Sequence, residues 1–118
     1  MKLVIAGSRL IDEVKAYEII TREIEHLGIK GKITEIVSGG AQGVDLAGEK
    51  YAKNNKISVI RFDPDWAQYG AAAGPMRNKE MAQYGDKLLA IWDGTSKGTK
   101  NMMDHMYRKK KHVHLVKV

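Results

Sequence analysis

The run Ser38-Gly39-Gly40-Ala41-Gln42-Gly43-Val44-Asp45 is the stretch of this chain whose residue types and spacing best suit the capture of an anion. Glycines this dense are too costly for the interior of a helix or strand. They belong where the backbone needs a positive φ or where something approaches it closely. An apolar run precedes them and a helical pattern follows, so the loop opens a helix and turns N–H groups and the positive dipole end toward its mouth. Phosphate is the usual guest of such a loop. A tight strand-to-helix turn with no ligand would use the same residues.

A second run, Asp93-Gly94-Thr95-Ser96-Lys97-Gly98-Thr99, repeats the arrangement, so two helix-opening loops could grip one phosphate or a diphosphate from two sides. Ser38, Thr95, Ser96 and Thr99 add hydroxyl donors. Arg9 and Arg77 carry planar guanidinium groups that match phosphate oxygens, and surface ion pairs are the alternative use for each. Asp45, just inside its helix, either answers the dipole or bonds to ribose hydroxyls or to the loop's own N–H groups. Trp66, beside Asp65, either stacks on a base or covers the edge of the core.

Several chemistries are excluded. No GxGxxG follows the first strand and no GxxxxGK[ST] occurs, which rules out an ordinary NAD site and a Walker ATPase. There is no cysteine, hence no disulfide, thiolate metal site or cysteine nucleophile. His112 and His114 share a strand face but lack a third ligand, so no metal site is expected, and no cofactor beyond a nucleotide-type ligand is required.

Short apolar runs at Lys2 to Ala6, Ile33 to Ser38, Ile57 to Phe62, Lys87 to Trp92 and Val113 to Val118 read as strands. Between them Ile11, Val14, Tyr17, Ile20, Ile24 and Leu27 form one helical stripe ended by Gly28, and Val44, Ala47, Tyr51 and Ala52 form another. Met76 to Tyr84 predicts a third helix with Pro75 at its start, and Met102, Met103, Met106 and Tyr107 mark a fourth. Asp63 to Pro75 is expected to be irregular.

The alternation predicts an α/β fold: a single Rossmann-like open parallel sheet of about five strands with helices on both faces, spanning 1–118 as one domain. In such a sheet the glycine-, hydroxyl- and acid-rich connections all fall at the carboxyl edge, where ligands bind. The plainer turns lie at the opposite edge.

The 118 residues suffice for one core, and the formal charge is +6. That excess is local: residues 96–118 hold seven Lys and Arg against one acid, while the first 95 balance at thirteen each. Most of it is Arg108-Lys109-Lys110-Lys111, which either answers the negative end of the last helix or contacts a phosphate backbone. No stretch approaches the roughly 20 apolar residues that span a bilayer. The expectation is a cytoplasmic protein with no membrane partner.

Gly7-Ser8-Arg9, Ser38 to Asp45, Asp65-Trp66, Gly74-Pro75-Met76-Arg77-Asn78 and Asp93 to Thr99 together resemble the YspA or cpYpsA-related branch of the SLOG superfamily. That superfamily unites the DNA-processing protein DprA with the Lonely Guy phosphoribohydrolases. The resemblance covers nearly the whole chain and implies a Rossmann-like fold that takes a nucleotide or nucleotide-sugar. The ligand would meet Gly7, Ser8, Arg9, Ser38, Gly39, Gly40, Ala41, Gly43, Asp45, Asp65, Trp66, Arg77, Asn78, Asp93, Gly94, Thr95, Ser96, Gly98 and Thr99.

Enzymatic relatives cleave a nucleoside monophosphate between base and ribose 5'-phosphate, using an arginine of the third helix and the glutamate of PGGxGTxxE. Arg77 matches that arginine. Met102 stands where the glutamate is expected, and Asp93-Gly94-Thr95 replaces Pro-Gly-Gly. A thioether shuttles no protons, so hydrolysis would need Asp45, Asp93 or Asp104 instead. The resemblance therefore implies binding or sensing first, an N-glycosidase second, and single-stranded nucleic-acid binding third, the last disfavoured by the balanced charge of the first 95 residues. Dimers through helices are also implied, with the Met-rich last helix as candidate surface unless its methionines fill the core.

Overall fold

A computed structural model describes all 118 residues. Its strands are β1 (Lys2–Gly7), β2 (Glu35–Ser38), β3 (Ser58–Arg61), β4 (Lys87–Trp92) and β5 (His112–Lys117). Its helices are α1 (Glu13–Leu27), α2 (Val44–Asn54), α3 (Trp66–Tyr69), α4 (Ala73–Tyr84) and α5 (Lys97–Arg108), with 3-10 turns at Lys30–Lys32 and Gly70–Ala72. The five strands form one sheet in the order β3-β2-β1-β4-β5, and every neighbouring pair is parallel. Chain order reverses beside β1, so the crevice beyond β1 and β4 is the topological switch point.

Strand periodicity divides the core into two layers. Leu3, Ile5, Ile36, Leu89 and Ile91 face α1 and α2, where Ile20, Ile24, Ala47 and Tyr51 meet them. Val4, Ala6, Val37, Leu88 and Ala90 face α4 and α5. Met102, Met103 and Met106 are buried in that second layer, so the methionines of α5 fill the core and do not form a surface for a partner. Each such buried side chain contributes about 2 kcal/mol.

The helix starts follow capping chemistry. Asp12 accepts from Lys15 N–H at the start of α1, and Asp65 accepts from Gln68 N–H at the start of α3. Strands β3 and β5 are the two edges and are the least buried. Three expectations need correction. Within the segment expected to be irregular, α3 and a 3-10 turn lead straight into α4, so Pro75 lies at its third residue rather than its first. Val14, assigned to the apolar stripe of α1, is 65% exposed. The strands expected at Ile33 and Ile57 begin at Glu35 and Ser58.

Lys111 belongs to the fold rather than to a free basic tail. Its Nζ donates to the carbonyls of Ala82 (2.7 Å), Gln83 (2.9 Å) and Gly85 (2.6 Å), closing the C-terminal end of α4.

Candidate functional site

Three contiguous cavities open at the carboxyl edge of the sheet, and Arg9 and Arg77 line all of them. The innermost recess, about 60 Å³, lies at the switch point. Gly7, Ala41, Asp45, Asn78, Gly98 and Thr99 form its walls, and Ala6, Met81 and Met102 give it an apolar floor. One outer lobe, about 290 Å³, runs past Gly39, Gly40, Ala41, Asp63, Pro64 and Trp66. The other, about 350 Å³, runs past Trp66, Gly74, Pro75, Asn78, Lys97, Gly98 and Asn101. The lobes have the size of small-molecule sites, for which about 300 to 1,000 Å³ is usual.

Arg77 is held in place by the chain around it. Its Nη1 donates to the Gly39 carbonyl at 2.6 Å and to the Phe62 carbonyl at 3.4 Å, and its Nε donates to Asn78 Oδ1 at 2.9 Å. Asn78 in turn donates to Asn101 Oδ1 at 3.0 Å and to the Gly98 carbonyl at 3.3 Å, tying α4 to the first turns of α5. None of these bonds uses Nη2, and no carboxylate pairs with the guanidinium. Burial pulls its pKa down, Arg9 acts in the same direction, and Asp45 opposes both. Arg9 is exposed and forms neither a hydrogen bond nor an ion pair.

The loop from Ser38 to Asp45 is pinned from behind. Ser38 Oγ accepts from Gly40 N–H at 3.1 Å and donates to Glu49 Oε2 at 2.6 Å. Glu49 also receives two bonds from Arg61, each 2.9 Å, and Arg61 lies across Gly40. Burial raises the Glu49 pKa, but the bonds from Arg61 and Ser38 together carry it below the ordinary value. Gly39 must be glycine for lack of space: a Cβ there would lie 2.6 Å from Arg77 Nη1 and 2.9 Å from Asp45 Oδ2.

Asp45 is only 5% exposed, yet its carboxyl forms part of the recess wall. Its Oδ2 accepts from Ala41 N–H at 3.3 Å. Burial pushes its pKa up to about 6, against the pull of the Ala41 and Gly7 N–H groups and of Arg77. Gly40 and Ala41 thus have their N–H groups taken by Ser38 and Asp45. The donors left facing the hollow come chiefly from the arginines and from the start of α5, where a helix leaves N–H groups without intrahelical partners.

The second glycine-rich loop turns inward. Asp93 Oδ1 accepts from Thr95 N–H and Ser96 N–H, both at 2.8 Å, and these bonds hold the carboxyl below its usual pKa. Ser8 Oγ accepts from Asp93 N–H, and Ser96 Oγ caps α5 by accepting from Thr99 N–H. Ser8, Asp93, Gly94, Thr95 and Ser96 line none of the three cavities; Gly94 packs against Lys117 instead. Only the first two turns of α5 face the hollow from this side.

A family model described as the YspA, cpYpsA-related SLOG family matches residues 1–69. The chain belongs to this SLOG family. It is 31% identical over 109 residues to the gene 61 protein of Mycobacterium phage D29, covering 86% of this chain and 85% of that protein. The X-ray structure of DNA processing protein A (DprA) from Streptococcus pneumoniae matches with a TM-score of 0.78 at 18% identity, covering 97% of this chain and 49% of that one. The chain thus spans about half the length of that DprA structure, and the likeness is one of fold.

For this SLOG domain, the residues singled out by sequence fall into three groups. Gly7, Arg9, Gly39, Gly40, Ala41, Asp45, Trp66, Arg77, Asn78, Gly98 and Thr99 line the shared hollow. Asp65 lines a small adjoining cavity beside Arg77. Ser8, Ser38, Gly43, Asp93, Gly94, Thr95 and Ser96 belong to the same loops but line none of the three cavities. Lys97 and Asp63, which belong to carboxyl-edge segments read from the sequence without being assigned to the ligand, also face the hollow, and so does Asn101, which drew no notice there. The four-residue spacing of Lys97 and Asn101 on one helix was the available signal. No group of three or more metal-ligating side chains is assembled, and no helix is long and apolar enough to cross a membrane.

Proposed function

We propose that this SLOG domain binds a phosphate-bearing, nucleotide-type ligand in the hollow at the carboxyl edge of its sheet. The observation that carries the proposal is the convergence of two arginines, neither paired with a carboxylate, on three joined cavities. Arg77 is oriented by Gly39, Phe62 and Asn78 with Nη2 left over, and Arg9 lines the same three cavities. Trp66, 50% exposed at the rim of both outer lobes, offers a face on which a base can stack. The site is led by guanidinium groups rather than by loop N–H groups.

A panel of nucleotides and ADP-ribose-like compounds, screened by thermal unfolding, tests this. A ligand at a hundredfold excess over its Kd stabilises by about 2.7 kcal/mol, which is roughly 10 °C for a domain of this size. Arg77→Ala is expected to abolish that rise. No shift with any phosphate-bearing compound sinks the proposal.

Hydrolysis is the second reading, favoured by one observation: a buried carboxyl, Asp45, with its pKa raised to about 6 in the same recess. Met102 opposes it, since the position expected to hold a glutamate faces the recess as a thioether. Free base and ribose phosphate released in proportion to protein would support hydrolysis; ligand recovered intact would end it. The similarity in fold to a DNA processing protein raises nucleic acid as a partner. The basic run, however, follows the far end of α5, a helix of 12 residues or about 18 Å. Its Lys111 is already bonded to three carbonyls.

A further inference from the structure

We propose that Asp45 makes the recess selective for a phosphoryl group that can carry a proton, the free end of a phosphate monoester, over a phosphodiester or a sulfate. This rests on the reading of the hollow as a phosphate site and narrows it. The recess holds about 60 Å³, several times the roughly 10–15 Å³ that admits a water, so it takes a tetrahedral phosphoryl group but not a base. Arg9 and Arg77 supply its positive charge, and Asp45 is the acid in its wall.

A carboxylate facing an anion in a buried space repels it unless one proton lies between them. A phosphate monoester has a second ionisation near pH ~6 and supplies or shares that proton, forming one short O–H···O bond to Asp45. A diester or a sulfate has no proton to give near neutrality.

The charged groups around Asp45 are accounted for. Arg77 comes from α4, Arg9 from the loop after β1, Glu49 lies one turn along α2, and Arg61 stands at the end of β3 with Asp63 just beyond it. None forms an ion pair with Asp45. Its backbone partners, the Ala41 and Gly7 N–H groups, require only acceptor oxygen and not a group that ionises, and burying an ionisable group carries a penalty. The carboxyl is explained by what it does toward a guest.

The test is calorimetric titration of the full chain with inorganic phosphate and with sulfate. At about pH 8, where Asp45 is ionised, phosphate is expected to bind at least about tenfold more tightly than sulfate, the worth of a hydrogen bond to a charged group. At about pH 5, where Asp45 carries its own proton, the gap is expected to close. Asp45→Asn, which donates N–H to either ion, is expected to remove the gap at both values. The wild-type comparison stands even if that variant folds poorly. Phosphate that fails to bind, or that binds no more tightly than sulfate at the higher pH, overturns the assignment of Asp45. If nucleotides still raise the melting temperature in that case, the broader reading survives; if they do not, both fall.

Discussion

The two glycine-rich loops look interchangeable as strings of letters, yet they meet the hollow in opposite ways. The loop after β4 carries its own anion: Asp93 fills the N–H groups of Thr95 and Ser96, and the turn closes on itself. The loop after β2 is also braced, by Ser38 and Asp45, but its outer side is left against Arg77. A glycine-rich turn before a helix is thus an anion site only where its own side chains have not already taken the donors. Here the unpaired guanidinium groups mark the working side.

The comparison is tested most strongly at Asp45. Its pKa is raised in the folded state, from 3.8 to about 6, so the folded chain holds this proton more tightly than the unfolded one. The associated stability is fully present below the unfolded value and is lost as pH rises through about 6. A shift of this size corresponds to about 3 kcal/mol. Asp45→Asn is therefore expected to unfold at higher denaturant than wild type at about pH 8 and at nearly the same denaturant at about pH 4. Equal midpoints at the higher value would mean that the carboxylate is better solvated or paired than its burial implies.

Two glycine substitutions sharpen the contrast further. Gly39→Ala drives a methyl group between Arg77 and Asp45, and should weaken nucleotide binding by at least about tenfold, the worth of one charge-assisted hydrogen bond. Gly94→Ala forces a side chain into a backbone with φ of 87°, and should cost about 1–2 kcal/mol of stability with Kd unchanged. If both variants lost binding, the loops would not be divided as described. The smallest effect is expected from Asp93→Ala, which should lower the melting temperature modestly while leaving the ligand-induced rise intact.

Much of the fold was legible in the sequence because burial on both faces writes a parallel strand as a continuous apolar run. Lys87 to Trp92 was bounded to the residue for that reason. The helix of Trp66–Tyr69 was not legible, since a single turn is too short to show a period. At the site, the residue types that gather at the carboxyl edge could be read. Whether a loop's donors face outward or are already bonded could not, because that depends on side-chain reach: Asp93 to N–H groups two and three residues ahead, Asp45 to one four residues behind. The Glu49–Arg61 pair behind Gly40 joins α2 to β3 and left no local signal.

Helix α5 presents Lys97, Gly98 and Asn101 to the hollow and, on the adjoining stripe, sets Met102, Met103 and Met106 into the core. Each residue added to a helix turns everything before it by about 100° relative to everything after it. One extra amino acid between Asn101 and Met102 would keep the methionine ridge seated and swing the lysine and asparagine away from the crevice. The phase of a single turn, as much as the identity of its residues, decides whether that wall exists.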